Sequence, residues 1–537
     1  MDAGTVHRWA VGAAAALAVA RDPIDRLNVF PVADGDTGTN LALTVAEGAE
    51  HLGDAGSGAH PAEVAAVFAR GALLGARGNS GVIVSQYLQG FAAGLARAVP
   101  GGDGGTVVAT ALDHAQRAAR TAVAQPVEGT ILTAATAAAV AAGAAARDGA
   151  GPDVVARAAV AGARDALARS PQTLDVLRTA GVVDAGASGL VVVLEALATA
   201  LGGPPAAPAA GPAAGGAGSA GVAGSAGSRS PDVPDVPDVP DVPDLRGPRP
   251  LPGAHRADDG EFEVMYVVES RADGTATADV ADELRRRLLA VGASVAVVGD
   301  ADGWHVHVHT DRPDAAVAAG DVGIRSQVVV RSLTPPTSPD GLGIVVGTGA
   351  PLLVADLARA GAVVLVHTDR SVDARVVLRA VVDTGAARVV VLPGSSSART
   401  AAVRAAGDAR VPVDVLDAAD HVGAVVALAA TGGRAPGERA DGDPGARVAA
   451  MRDALARLRT DVVGEPDVRA VTDVAGRLLA GGGELVTVVS GADLGSRWPA
   501  GDLADALTRS LAAAHPAVEV VVLDGGQAVP AAVVGVE

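Results

Sequence analysis

Residues 27–40 read LNVFPVADGDTGTN. Two carboxylates, Asp34 and Asp36, stand two apart in a glycine-rich turn, and Thr37, Gly38, Thr39 and Asn40 follow them. Hard divalent cations such as magnesium take carboxylate oxygens and keep waters and phosphate oxygens as further ligands. A D-x-D turn offers that arrangement, and its glycines let backbone amides approach an anion. Acidic turns that merely face water are also common, so the meaning of this one depends on what accompanies it.

Three further segments do so in order: GARGNSGVIVSQYLQGF (75–91), AQPVEGTILTA (124–134) and VLRTAGVVDAGASGL (176–190). With them, the turn is similar to the metal-binding turn of the dihydroxyacetone kinase L-subunit family. The longer wording NVFPVADGDTGTN resembles the fatty acid kinase catalytic-subunit branch. WHVHVHTD (304–311) and the terminal LDGGQAVPAAVVGVE (523–537) resemble that branch too, so the likeness spans most of the chain.

The resemblance implies a multidomain protein. An all-α helical barrel over 1–201 would hold the nucleotide at one end, and β/α domains would follow. It implies two magnesium ions on Asp34 and Asp36, with Asn28 where the L-subunits carry a third Asp. Asn28 can ligate through its carbonyl oxygen or serve as a structural turn residue. Gly78, Asn79, Ser80 and Gly81 precede an apolar helical stretch; such a start is either an ordinary helix cap or a cradle for phosphate. The resemblance favours the cradle, with ATP as co-substrate and Thr39 and Asn40 within reach of it. Thr130, Asp184 and Gly186 are read the same two ways, as helix starts or as groups facing the nucleotide.

Composition narrows the chemistry. The 537 residues suit about three domains. Net charge is −19 with no basic run, and aromatics are 2%, so nucleic acid and anionic membranes are poor partners. There is no Cys, which excludes disulfides and thiolate nucleophiles. There is no Lys either: all 42 basic residues are Arg. A P-loop or protein-kinase site in its usual form is therefore excluded, as is Schiff-base chemistry. Metal ions, backbone amides and Arg are left to handle phosphate charge. No run is long and apolar enough to read as a membrane span, no signal peptide is read at the start, and a cytoplasmic location is expected.

Asp103–Ala124 and Asp153–Ser170 read as amphipathic helices, broken by Gly/Pro clusters at 99–105 and 148–152. Residues 202–258, Gly/Ala/Pro/Ser-rich and then repeating Pro-Asp-Val, read as a spacer too poor in apolar surface to fold. A middle β/α domain is expected over 259–336 and a C-terminal β/α domain over 341–537, with residues 445–480 helical. His305, His307 and His309 alternate along a predicted strand, where residues two apart share a face about 6.5–7 Å apart. They form either a solvated face or a metal site. The resemblance implies a structural zinc on His307, His309 and a Cys whose position is held here by Glu263, an acceptable zinc ligand. Pro393–Ser397 follows a strand and is read as a plain strand-to-helix loop or as an anion site.

The reading that unites these features is a kinase making an acyl phosphate from a fatty acid carboxylate presented by a separate lipid-binding protein. A dihydroxyacetone-type kinase and a non-catalytic nucleotide-binding regulator are the alternatives, and a homodimer is left open.

Overall fold

The computed structural model describes residues 1–54, 59–98, 102–123, 125–202, 260–269, 277–300, 303–333, 341–367, 372–431 and 443–537. They divide into two compact units, Met1–His255 and Arg256–Glu537. The stretch expected as a spacer lies almost wholly outside the described residues.

The first unit is helical: α1 (Ala3–Asp25), α2 (Thr37–Glu50), α3 (Pro61–Leu74), α4 (Gly78–Ala96), α5 (Gly104–Ala122), α6 (Ile131–Arg147), α7 (Pro152–Thr173), α8 (Asp175–Ala180) and α9 (Ala185–Ala200). Alanine, the strongest helix former, dominates these segments. Their starts are fixed by side chains that accept the orphan amides of the first turn: Asp2, Asp103, Thr130 and Asp184. Successive helices pack on one another, and α9 returns to α1 and α7, closing the ring. Its core combines small Ala side chains with an aromatic cluster. The Trp9 ring lies 5.6 Å from that of Phe68 and 4.7 Å from that of Phe91, and its indole nitrogen donates to the Val193 carbonyl at 3.0 Å.

The second unit opens with β1 (Phe262–Glu269), α10 (Thr277–Leu289), β2 (Ala293–Asp300), β3 (Gly303–Thr310), α11 (Pro313–Ala319) and β4 (Ile324–Ser332). It continues with β5 (Leu342–Thr348), α12 (Val354–Arg359), β6 (Ala362–Val366), α13 (Ala374–Asp383), β7 (Arg388–Leu392), α14 (Ser396–Asp408), β8 (Val413–Val415) and α15 (His421–Ala429). The chain ends in α16 (Pro444–Arg457), β9 (Arg459–Val463), α17 (Val468–Leu479), β10 (Leu485–Ser490), α18 (Ala492–Arg497), α19 (Ala500–Leu511), β11 (Glu519–Asp524) and β12 (Ala532–Val536).

The first eight strands form one sheet in the order β2-β3-β1-β4-β6-β5-β7-β8, and the last four form a second, β11-β10-β12-β9. β4 pairs antiparallel with β6, so strands from both sides of the expected 336/341 boundary share one sheet. β5, β6, β7 and β8 run parallel, joined by helical crossovers, as their Val-rich runs alternating with helical stretches predict.

Two expectations are corrected. Residues 445–480 are not continuously helical, because β9 interrupts them and pairs with β12. The histidine strand is not solvated on its histidine face. Trp304, Val306 and Val308 enter a hydrophobic core on one side, yet His305, His307 and His309 on the other side are buried as well.

Candidate functional site

The D-x-D turn connects α1 to α2. Asp36 is the N-cap of α2, and its Oδ1 accepts from Asn40 Nδ2 at 2.8 Å. Asp34 Oδ1 accepts from Asn28 Nδ2 at 2.5 Å. Asn28 is buried, and its own Oδ1 has no hydrogen-bond partner. A buried amide oxygen beside two half-buried carboxylates fits a hard cation, which accepts carboxylate and amide oxygens alike.

Sequence reasoning missed Asp25, at the end of α1. Its carboxylate accepts both the Thr39 backbone amide (2.9 Å) and the Thr39 hydroxyl (2.7 Å), tying α1 to the first turn of α2. Thr39, expected near the nucleotide, thus spends its hydroxyl proton on Asp25. Burial raises the Asp25 pKa above the ordinary carboxylate value; the Thr39 bonds oppose that, and the nearby Asp36 charge adds to it. Negative charge is therefore concentrated at this turn, and a bound dication would relieve it.

Gly78 opens α4 against the same turn. It has φ +55°, and a Cβ built there would lie 2.3 Å from Asn40 Nδ2, so only glycine lets Asn40 keep its bond to Asp36. Asn79 and Ser80 are half-buried in the first turn of α4. A Cβ on Gly81 would meet Thr44 Oγ1 at 2.4 Å, and the same hydroxyl accepts from the Arg77 amide. Arg77, at the N-cap of α4, is the buried Arg among the described residues. Sequence reasoning passed over it, although a basic residue inside a glycine-rich motif of a chain without Lys is a readable signal.

The remaining two motifs arrive at the same end of the ring. Thr130 caps α6, accepting from Leu132 N and donating to the Val127 carbonyl. Asp184 caps α9, accepting from Ala187 N at 2.7 Å and from the Ile131 amide. Gly186, in the first turn of α9, lies against Ile131, while Gly189 lies against Leu41 of α2 and Ile24 of α1. The starts of α2, α4, α6 and α9 are thus linked by direct contacts. The side chains of Thr130 and Asp184 are engaged as caps, which is the plainer of the two readings of each.

Burial raises the Asp184 pKa to about 7 despite its two amide donors. A carboxyl whose folded pKa lies above its unfolded value holds its proton more tightly when folded. Its stabilising contribution is therefore full below about pH 4 and is lost as pH rises through about 7. Asp184→Asn keeps the cap without the charge. Its unfolding midpoint is expected to fall less than the wild type's when pH is raised from about 5 to about 8, as thermal unfolding at both pH values will read. Parallel pH dependences would mean that Asp184 stays charged throughout.

In the second unit, Glu263 faces His309 across the β1–β3 ladder, two pairs along from Met265 and His307 and so on the same face. His307 Nε2 lies 3.1 Å from His309 Nε2, and His307 Nδ1 lies 3.4 Å from Glu263 Oε1. The other Glu263 oxygen pairs with Arg331. Each of the three residues offers a ligand atom within 4.8 Å of the others, and all are buried. This donor set suits zinc, which takes imidazole nitrogen and carboxylate oxygen.

Residues 31–199 match the family model of the DAK2 domain. Residues 259–334 match that of the FakA-like fatty acid kinase middle domain, and 454–537 that of the corresponding C-terminal domain. Two uncharacterized proteins of Staphylococcus aureus, from strains bovine RF122 / ET3-1 and USA300, are each 39% identical to this chain over 182 residues. The match takes in 34% of this chain and only 33% of each relative. A solved dihydroxyacetone kinase from C. freundii, in complex with AMP-PNP and Mg2+, is 20% identical, with a TM-score of 0.27 over 36% of this chain and 33% of that one. Among the described residues, no helix is long and apolar enough to cross a membrane.

Proposed function

The chain belongs to the DAK2-domain family in its FakA-like, fatty acid kinase form, and on that premise we propose that it is an ATP-dependent kinase converting a fatty acid carboxylate to an acyl phosphate. The observation that carries this reading is the convergence of four motifs at one end of the helical ring, around a turn rich in carboxylates. Asp34, Asp36 and the Asn28 carbonyl oxygen would hold magnesium, which when bound neutralises the phosphate oxygens of ATP. The first-turn amides of α4, with Asn79 and Ser80, would hold phosphate oxygens at a helix N-terminus. Asn40 keeps Asp36 oriented, and Asp25 fixes the start of α2 through Thr39.

The proposed transfer needs no general base. A fatty acid is already ionised at neutral pH. One carboxylate oxygen bonds to the γ-phosphorus while the bond from that phosphorus to the bridging oxygen of ADP breaks, and the electron pair leaves with ADP. A hydroxyl substrate such as dihydroxyacetone would have to lose a proton as well. The fatty acid would be presented by a separate lipid-binding protein, with the chain acting in the cytoplasm. The test is formation of hydroxylamine-trappable acyl phosphate from ATP, magnesium and fatty acid, with and without a lipid-binding protein; phosphorylation of dihydroxyacetone instead would replace this reading.

Zinc on Glu263, His307 and His309 would have a structural role, clamping β1 to β3. His307→Ala is expected to remove one equivalent of zinc and to lower the unfolding midpoint of the second unit by roughly 5–15 °C, with nucleotide binding unchanged. Elemental analysis and calorimetry check this. Protein purified without chelators and free of stoichiometric metal would leave Glu263 as the partner of Arg331 alone.

A further inference from the structure

Glu263 sits between two strand ladders. Across β1–β3 its pair is His309, and across β1–β4 its pair is Arg331. Directly paired residues share a face of the sheet, so imidazole, carboxylate and guanidinium stand in one row. The two carboxylate oxygens are divided between the neighbours. Oε1 lies 3.4 Å from His307 Nδ1, and Oε2 accepts from Arg331 Nε. The Glu263 side chain is 2% exposed, whereas that of Arg331 is 20% exposed and still reaches water. β4 also pairs with β6, so the row ends on the strand that joins the two halves of the large sheet.

If zinc occupies Glu263, His307 and His309, as proposed above, one carboxylate serves two cations. Without metal, a buried carboxylate is costly unless it is paired and hydrogen-bonded. Arg331 meets that need. With metal bound, the dication supplies the compensation, and the guanidinium beside it becomes a repulsive neighbour. Removing the Arg331 charge therefore destabilises the metal-free form more than the loaded form. The donor set points the same way. Structural zinc sites are almost always closed by four ligands, most often including thiolates. Among the described residues the cluster offers three, and the chain has no Cys to complete it.

We propose that Arg331 stands in for the metal: it holds Glu263 in the metal-free second unit, so that the unit folds without zinc, and its competition for Glu263 makes bound zinc exchangeable. Arg331 acts on the metal through Glu263 and is a positioning residue. Zinc then adds stability to an already folded unit, in proportion to the free metal present.

Competition between the full chain and a chromophoric zinc chelator reads the affinity, and calorimetry of chelator-stripped protein reads the metal-free form. Arg331→Gln is expected to bind zinc about tenfold or more tightly than the wild type, and to unfold at a lower midpoint when stripped. Arg331→Lys keeps the charge and is expected to stay within about threefold of wild-type affinity. A residue that merely braced β1 against β4 would lower the stripped and loaded midpoints alike and leave the affinity unmoved. Unchanged or weaker zinc binding in Arg331→Gln would therefore overturn the proposal while leaving the zinc in place. If that variant fails to fold, the stripped wild type carries the test: loss of the second unit's cooperative transition would show that zinc, not Arg331, holds Glu263. Zinc bound by neither wild type nor variants would remove the metal itself, and the role of Arg331 with it.

Discussion

Asp34→Asn and Asp36→Asn are each expected to lower magnesium-dependent ATP turnover by roughly 10²–10³-fold or more, the scale of losing one aligned electrostatic contact to a developing transition state. The chain has no Lys to share the phosphate charge, so a weakened metal site is not compensated. Stability should move little. Both carboxylates are half-buried in a turn outside the hydrophobic core. The bonds that anchor the start of α2 come from Asp25. A midpoint shift within about 4 °C is expected, corresponding to about 1 kcal/mol for a unit of this size. Turnover measured against magnesium concentration, alongside thermal unfolding, separates the two effects. Wild-type turnover in both variants would remove the metal from Asp34 and Asp36.

The parts of this molecule legible in the sequence are those fixed by short-range chemistry. Ala-rich stretches with Asp or Thr at their starts gave α5 and α7 close to their observed ends, because caps and Gly/Pro breaks act within a few residues. The Val-rich runs gave β5 to β7, since strands buried on both faces read as continuous apolar segments, and the shorter run at β8 marked the half-buried edge strand. β9 was hidden because RTDVV, five residues between two amphipathic helices, draws its strand character from pairing with β12, about 70 residues further on. The role of Asp25 was hidden for a similar reason: its bond to Thr39 spans 14 residues and exists only when α1 and α2 fold together. The histidines of β3 were legible as a row but not as a buried row, because an alternating strand does not reveal whether its second face is covered.

The chain alone is expected to phosphorylate free fatty acid poorly, and a lipid-binding partner is expected to restore the reaction by several orders of magnitude. The proposed site at the helix starts is built from short polar residues, backbone amides and carboxylates. The apolar interior of the same unit is occupied by its own Ala, Leu, Val and aromatic side chains. A long acyl chain must nevertheless leave water, and its carboxylate must sit in line with the γ-phosphate. Orientation of that kind is worth effective molarities of about 10⁵ M or more when a partner supplies it. A carrier that buries the acyl chain and exposes only the carboxylate would meet both needs while leaving nucleotide binding to the helical unit. Removing residues 259–537 divides the problem. If the second unit docks the carrier, truncation should abolish the partner's stimulation while ATP binding persists, because tethering raises the local concentration of the bound carrier. Acyl phosphate formation should be followed with purified chain, truncated chain and carrier in all combinations. Full activity on free fatty acid without any partner would sink the carrier requirement, and full stimulation of the truncated chain would move the docking surface to the helical unit.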